Sequence, residues 1–250
     1  MKLPWFYAET IGAPGAHVEL GPEEARHASK ATRLRPGDGA VISDGQGQTA
    51  RVQIQESTKG RVSGLIEEIE IWPRSRPALH LASALPKGDR LSTLLSMATQ
   101  IGIHSFTPLQ CERSVVPAPE HTPDRWERIV REAAKQSQQP WLPELREGQP
   151  LAFYAEAWAE SARLLQLDPH GESLDPAALA SAPAGPEAIA LLVGPEGGFT
   201  EGESRELQSR GATTWALSTG VLRIETAAIA GLASLALIRE PLRPETENLD

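Results

Sequence analysis

The chain has 250 residues, 40% of them hydrophobic, and a formal net charge of −9. That length allows one large or two modest domains with buried cores. A single cysteine, Cys111, excludes an internal disulfide and points to a reducing compartment. The opening stretch MKLPWFYAETIGAPG has no apolar signal core, and no apolar run approaches the ~20 residues that cross a bilayer. A cytoplasmic protein without a membrane partner is expected. The charge is uneven. Residues 1–76 carry ten basic and ten acidic side chains, residues 77–146 eight and seven, and residues 147–250 six and sixteen. A polyanionic partner is therefore expected on the first two thirds, because phosphate contacts need local Lys and Arg.

Residues 1–72 read as a small β-rich domain. Trp5–Tyr7, Ala40–Ile42, Ala50–Ile54 and Arg61–Ile71 have strand composition, and Asp44-Gly45-Gln46-Gly47 is a hairpin turn signal. Pro22 to Leu34 is predicted as a helix, with Pro and two Glu in its first turn. Arg26, Lys30 and Arg33 then fall on one helical face and Arg35 follows. This is either a solvated basic face or a ridge that contacts phosphates. Residues 73–77 are a proline-bounded linker.

Residues 78–240 read as a second, α/β domain. Ala78–Ala84 is a strand, Arg90–Ile101 a helix, Ser105–Leu109 a strand, and Asp124–Gln138 an amphipathic helix with Trp126, Ile129, Val130 and Ala133 inward. Leu151–Ala159 reads as a helix and Arg163–Leu167 as a strand, followed by a loop at Asp168-Pro169-His170. His170 there is either an active-site base or a solvated loop histidine. Asp175–Ala180 is a short helix, and residues 181–186 are loop. The acidic residues 241–250 read as a frayed tail.

The most informative stretch is Ala188 to Leu232. Ala188–Val193 has the composition of a buried strand, and it ends in Gly194-Pro195-Glu196-Gly197-Gly198. Glycines there let the backbone turn tightly and let a ligand approach. Thr200 with Glu203 forms a capping box that starts the next helix. The plan repeats: strand Thr213–Leu217, loop Ser218-Thr219-Gly220, helix Ile224–Ile238. Two loops at one sheet edge face one pocket, as α/β proteins hold ligands at the carboxyl ends of strands. The loop lacks the dinucleotide and Walker patterns. The six histidines lack ligand spacing, so no metal site is expected, and no serine nucleophile elbow is present.

GPEGGFTEGE (194–203), followed by Leu217, Val221-Leu222-Arg223 and Glu225-Thr226-Ala227, closely resembles the ribosomal RNA small subunit methyltransferase E family. His27–Asp38, Asp44-Gly45-x-Gly47, Cys111-Glu112-Arg113-Ser114, Gln136-Ser137 and Trp141–Glu144 extend the resemblance over nearly the whole chain. That family belongs to the SPOUT class. The resemblance implies an α/β SPOUT domain with a parallel sheet and a carboxyl-terminal trefoil knot, preceded by a small PUA-like β-barrel that binds RNA. It implies S-adenosylmethionine as cofactor, held by Leu167, Gly194, Pro195, Glu196, Gly197, Gly198, Leu217, Ser218, Gly220, Val221, Leu222 and Thr226.

It also implies methylation of uridine N3 in small-subunit (16S) ribosomal RNA, free or in the 30S particle. Arg26, Lys30, Arg33, Arg35 and Arg113 are the implied RNA contacts. Arg223 and Glu225 are the candidate catalytic pair, with Arg223 placed to stabilise a uracil oxyanion and Glu225 either a base or a helix cap. A homodimer through the knot region is implied as well. The chain departs from the family pattern at Pro4-Trp5, Met97, Gln139 and Gly220, where the family favours basic residues. Two lost phosphate contacts lower the salt slope of RNA binding by about two. Two alternatives stay open: a non-catalytic RNA-binding or ribosome-assembly protein, and a methyltransferase for a different RNA site.

Overall fold

The structure, a computed structural model, describes residues 3–58, 60–173, 175, 187–218, 220–239 and 243–248. Residues 176–180 of the helix predicted over Asp175–Ala180, the loop at 181–186 and Thr219 lie outside the described residues. The chain divides into two compact units. The first takes the described residues within Met1–Arg74, Arg131–Leu142 and Pro241–Asp250, and the second those within Ser75–Val130 and Pro143–Glu240. A division near residue 75 was expected. The return of 131–142 and of the chain end to the first unit was not.

The first unit is built on six strands: β1 (Trp5–Tyr7), β2 (His17–Glu19), β3 (Gly39–Ser43), β4 (Gln48–Ser57), β5 (Val62–Ile71) and β13 (Glu245–Asn248). Their order is β1-β3-β4-β5-β13, with β2 also paired to β5. In β4, Val52 and Ile54 are buried while Arg51, Gln53 and Gln55 are exposed, the alternation of a sheet with one covered face. Phe6, Ile42, Val52, Ile54 and Ile66 form its core.

The helix predicted over Pro22 to Leu34 is interrupted. Helix α1 (Pro22–His27) passes into one π-helical turn at Ala28–Thr32, and Arg33 closes it with φ 56°. A π turn takes more residues per turn than an α turn. The single basic face drawn through Arg26, Lys30 and Arg33 therefore does not form. The frayed tail is also corrected, since β13 pairs antiparallel with β5. An exposed strand edge offers a ladder of unpaired N–H and C=O groups, so a segment can join it with no apolar signature of its own.

Gly45 (φ 71°) and Gly47 (φ 97°) turn the β3–β4 hairpin. Trp141 and Leu142 lie directly on them. Gly47 N donates to Pro140 O at 3.0 Å, and Leu142 N donates to Gly45 O at 2.8 Å. A Cβ on Gly47 would fall 2.3 Å from the Trp141 ring. Two motifs almost a hundred residues apart are thus each other's packing partners. A buried ion pair adds to this seam. Lys135 Nζ lies 2.6 Å from Glu24 Oε1 and 2.6 Å from Glu132 Oε1, and the Lys135 and Glu24 side chains are only 8% and 10% exposed.

The second unit contains seven strands: β6 (Ala78–Ser83), β7 (Ser105–Gln110), β8 (Glu144–Leu145), β9 (Gln149–Pro150), β10 (Arg163–Glu172), β11 (Ala188–Val193) and β12 (Thr213–Trp215). Their order is β12-β10-β11-β6-β7-β8, with β9 on β7, and every pairing is parallel. Leu79, Leu81, Ile189, Ala190, Leu191 and Leu192 are fully buried. These near-continuous apolar runs are the mark of parallel strands covered on both faces.

The helices of this unit are α2 (Arg90–Ile101), α4 (Leu151–Trp158), α5 (Glu201–Ser209) and α6 (Ile224–Ala236), together with the first half of α3 (Asp124–Ser137). Helix α6 packs on α2, β6 and β11. Its approach depends on Gly231, where a Cβ would lie 2.8 Å from Leu191 Cδ2. β10 does not stop at Leu167 as predicted. It runs to Glu172 through an irregularity between Leu167 and Glu172, both of which pair with Trp215. The predicted loop at 168–170 is that bulge. A bulge leaves extra residues unpaired and re-aims side chains beside a site.

Burial opposes the charge on Lys135, but its hydrogen bonds to Glu132 and Glu24 outweigh it and hold its pKa above 10.5. The pair's contribution is therefore fully present below the ordinary lysine pKa and is lost as pH rises through the raised one. Lys135→Met strands a buried carboxylate and should cost about 3–5 kcal/mol in denaturant unfolding near pH 7. Adding Glu24→Gln to that variant should recover part of the loss.

Candidate functional site

β10 lies between β11 and β12, and the register pairs Leu167 with both Val193 and Trp215. The carboxyl ends of three strands therefore finish side by side. Two loops leave this level. One runs from Val193 to α5 and the other from Trp215 to α6, and between them is a cavity of about 390 Å³.

The first loop is held from both ends. Gly198 has φ 69°, and its N–H donates to Pro195 O at 2.8 Å. The capping box forms as read from the sequence. Thr200 Oγ1 accepts Glu203 N–H at 3.2 Å, and Glu203 Oε2 accepts Thr200 N–H at 2.8 Å. A Cβ on Gly194 would sit 3.2 Å from the Phe199 ring and from Phe199 N, so a side chain there would require Phe199 to give way. In the second loop Ser218 Oγ accepts Gly220 N–H at 3.2 Å, and Val221 is 82% exposed.

Leu167, Gly194, Pro195, Glu196, Gly197, Gly198, Leu217, Ser218, Gly220, Val221 and Leu222 all line the cavity. Thr226 does not, and neither do Arg223 and Glu225. For Glu225 and Thr226, helical geometry gives the reason. Ile224 and Ala227, three residues apart, face the cavity, so the intervening positions are rotated away from it. Arg223 is the exposed N-cap residue of α6, with extended backbone. Glu225 is in the first turn of α6, where a carboxylate complements the helix dipole, and its Oε2 is buried without a hydrogen-bond partner among the described residues.

The cavity also contains residues that the motifs did not single out as cofactor contacts. Asp168, Pro169 and His170 come from the bulge in β10, Val193 and Trp215 from strand ends, and Phe199 from the glycine loop. Asp168 Oδ1 accepts His170 N–H at 2.8 Å. Strand pairing brings this bulge to the loops, and it puts His170, one of whose two open readings is an active-site base, in the cavity wall. Arg113, an RNA contact by resemblance, lines the cavity, and its Nη1 donates to Gly197 O at 2.7 Å.

The remaining basic candidates lie in the first unit. Lys30, Arg33 and Arg35 surround a separate surface cavity of about 370 Å³ with Ser29, Ser57 and Thr58, while Arg26 does not line it. Among the described residues, no group of three or more His, Cys, Asp or Glu is arranged to hold a metal ion, and no helix is long and apolar enough to cross a membrane.

A parallel α/β sheet with two loops closing one cavity at its strand ends defines a class, and residues 73–236 match the model of the RNA methyltransferase domain. The chain is 31% identical to the ribosomal RNA small subunit methyltransferase E of Bacillus subtilis (strain 168), over 88% of this chain and 90% of that one. It is also 31% identical to the Mycobacterium bovis protein of the same name, over 93% and 91%. The crystal structure of ribosomal RNA small subunit methyltransferase E from Neisseria gonorrhoeae, bound to S-adenosyl methionine, superposes with a TM-score of 0.85. It is 25% identical and covers 95% of this chain and 98% of that one. This chain belongs to the ribosomal RNA small subunit methyltransferase E family.

Cys111 follows β7 and is 4% exposed. Burial first, and then the nearby Glu203 carboxylate, push its thiol up to about 12. At pH 8 only ~10⁻⁴ of it is thiolate. Iodoacetamide at pH 8 should leave the native chain unmodified and label it at one site in denaturant, as intact-mass measurement will show.

Proposed function

We propose that this chain transfers a methyl group from S-adenosylmethionine to N3 of a uridine in small-subunit (16S) ribosomal RNA. The observation that carries this reading is the joining of both glycine-bearing loops at one cavity, in a chain of this family. The cavity fits such a cofactor. Its volume is in the range of small-molecule sites, and Gly194, Gly197, Gly198 and Gly220 contribute bare main chain to its lining. The main-chain groups of residues 194–198 and 217–222 would hold the adenosine, and the carboxylates of Asp168 and Glu196 would favour a cationic sulfonium. When bound, the cofactor supplies an electrophilic methyl group.

The protein's own task is then orientation. Holding the uracil nitrogen in line contributes more to rate than any one side chain. We keep Arg223 as the group that offsets negative charge developing on the uracil oxygens. Glu225 we assign to the start of α6, in accord with its place in the first turn. Thr226 we withdraw as a cofactor contact.

The first unit, which we read as a PUA-like RNA-binding barrel, would engage ribosomal RNA through Lys30, Arg33 and Arg35. Two guanidinium groups, an ammonium and three hydroxyls around one depression are suited to a phosphate. We read the chain around α6 as the trefoil knot of the SPOUT class, and place the protein in the cytoplasm. We also infer a homodimer. Exposed Met97 and Leu237 on the packed pair α2 and α6 support an interface there.

Calorimetry should show one cofactor per chain. Mass spectrometry of 16S ribosomal RNA from a deletion strain should show one 3-methyluridine lost, and its persistence would refute the assignment. Arg223→Ala should lower turnover roughly 100-fold with cofactor affinity nearly unchanged; equal losses in both would make the residue architectural. Sedimentation at micromolar concentration should give twice the 26.9 kDa of one chain, and a monomer would end the dimer proposal.

A further inference from the structure

We infer that Glu203 is a positioning residue for the cofactor cavity, and that with Arg113 it forms a reciprocal clasp between the glycine loop and the Cys111–Ser114 segment. The inference rests on the cofactor reading above. Glu203 is 7% exposed. A capping box requires only one of its oxygens, Oε2, which accepts Thr200 N–H. The other, Oε1, accepts Glu112 N–H at 2.8 Å from a segment 91 residues away. The neighbouring Arg113 reaches back, its Nη1 donating to Gly197 O at 2.7 Å and to Phe199 O at 3.5 Å. Its stem lies along the loop, since a Cβ on Gly197 would sit 3.2 Å from Arg113 Cδ.

One tie runs from the helix start to the segment, and the other from the segment to the loop. Neither partner spends its charge on a counter-ion. Among the described residues, Glu203 has no cationic partner and Arg113 no carboxylate. The Glu203 carboxylate is held by backbone N–H groups alone, which makes its position sensitive to both. The guanidinium charge of Arg113 is delivered to the cavity wall without being neutralised. The wall formed by Gly197, Gly198, Phe199 and Arg113 is therefore set by a carboxylate that does not itself line the cavity.

Glu203→Gln keeps the size of the side chain but turns one acceptor into an NH2 group facing a backbone N–H. Thr200→Ala removes the cap on the same helix and leaves both carboxylate bonds in place. Calorimetric titration with S-adenosylmethionine should show affinity about tenfold weaker in Glu203→Gln and in Arg113→Met, and within about twofold of wild type in Thr200→Ala. Because the two residues act as one device, the double variant should be no weaker than about tenfold. Equal weakening in Thr200→Ala would reduce Glu203 to a cap, and additive losses in the double variant would separate the two residues; either result overturns the clasp. Should Glu203→Gln fail to fold, Arg113→Met keeps the test open, because unchanged affinity in that variant is equally fatal. A wild-type chain that bound no cofactor would sink the assigned activity and this inference with it, whereas wild-type binding with unaffected variants would sink the clasp alone.

Discussion

The parallel pairing of β10 with β11 on one side and β12 on the other is the constraint on which the site depends. It sets Leu167, Val193 and Trp215 at one level. Each strand must then hand the chain to a loop at the same edge, where backbone groups no longer have ladder partners. A ligand can meet those groups only if the loops stay close and uncrowded. Glycine at 194 and 197 and the tight turn at 198 meet that condition. Gly231 meets a related one beneath the cavity, where α6 presses on Leu191.

Electrostatics divides along the chain in the same way as the proposed tasks. The acidic excess belongs to residues 147–250, which include the cavity carboxylates Asp168 and Glu196. The cluster of Lys30, Arg33 and Arg35 belongs to the first unit. Net charge therefore says little about whether this chain can meet a polyanion, because screening confines such contacts to about a Debye length. Arg113, in the Cys111–Ser114 segment, belongs to the second unit instead. Its hydrogen bonds to two loop carbonyls make it part of the cavity wall.

Strongly periodic or capped segments were legible without coordinates. Helix α2 has the bounds that its leucine spacing implied, and the capping box at Thr200 forms with both of its hydrogen bonds. The same holds for β11, whose six apolar residues end at the glycines. Segments without such a local signal were missed or misread. β2, β8 and β9 are two or three residues long, and β13 is an acidic stretch that pairs on the edge of β5. The basic run at 26–33 does not share one face, because a π turn and an αL residue interrupt a helix whose composition gives no warning.

The sequence by itself determined the two glycine loops, their strands and helices, and the family they signal, because turns, caps and apolar periods are local chemistry. Tertiary structure decided which residues share the cavity. It admitted the β10 bulge and Arg113, and it turned Glu225 and Thr226 away, because helix phase and strand register are settled between elements. It also decided that residues 131–142 complete the first unit, since Trp141 finds the bare surface of Gly47 only when the chain is folded.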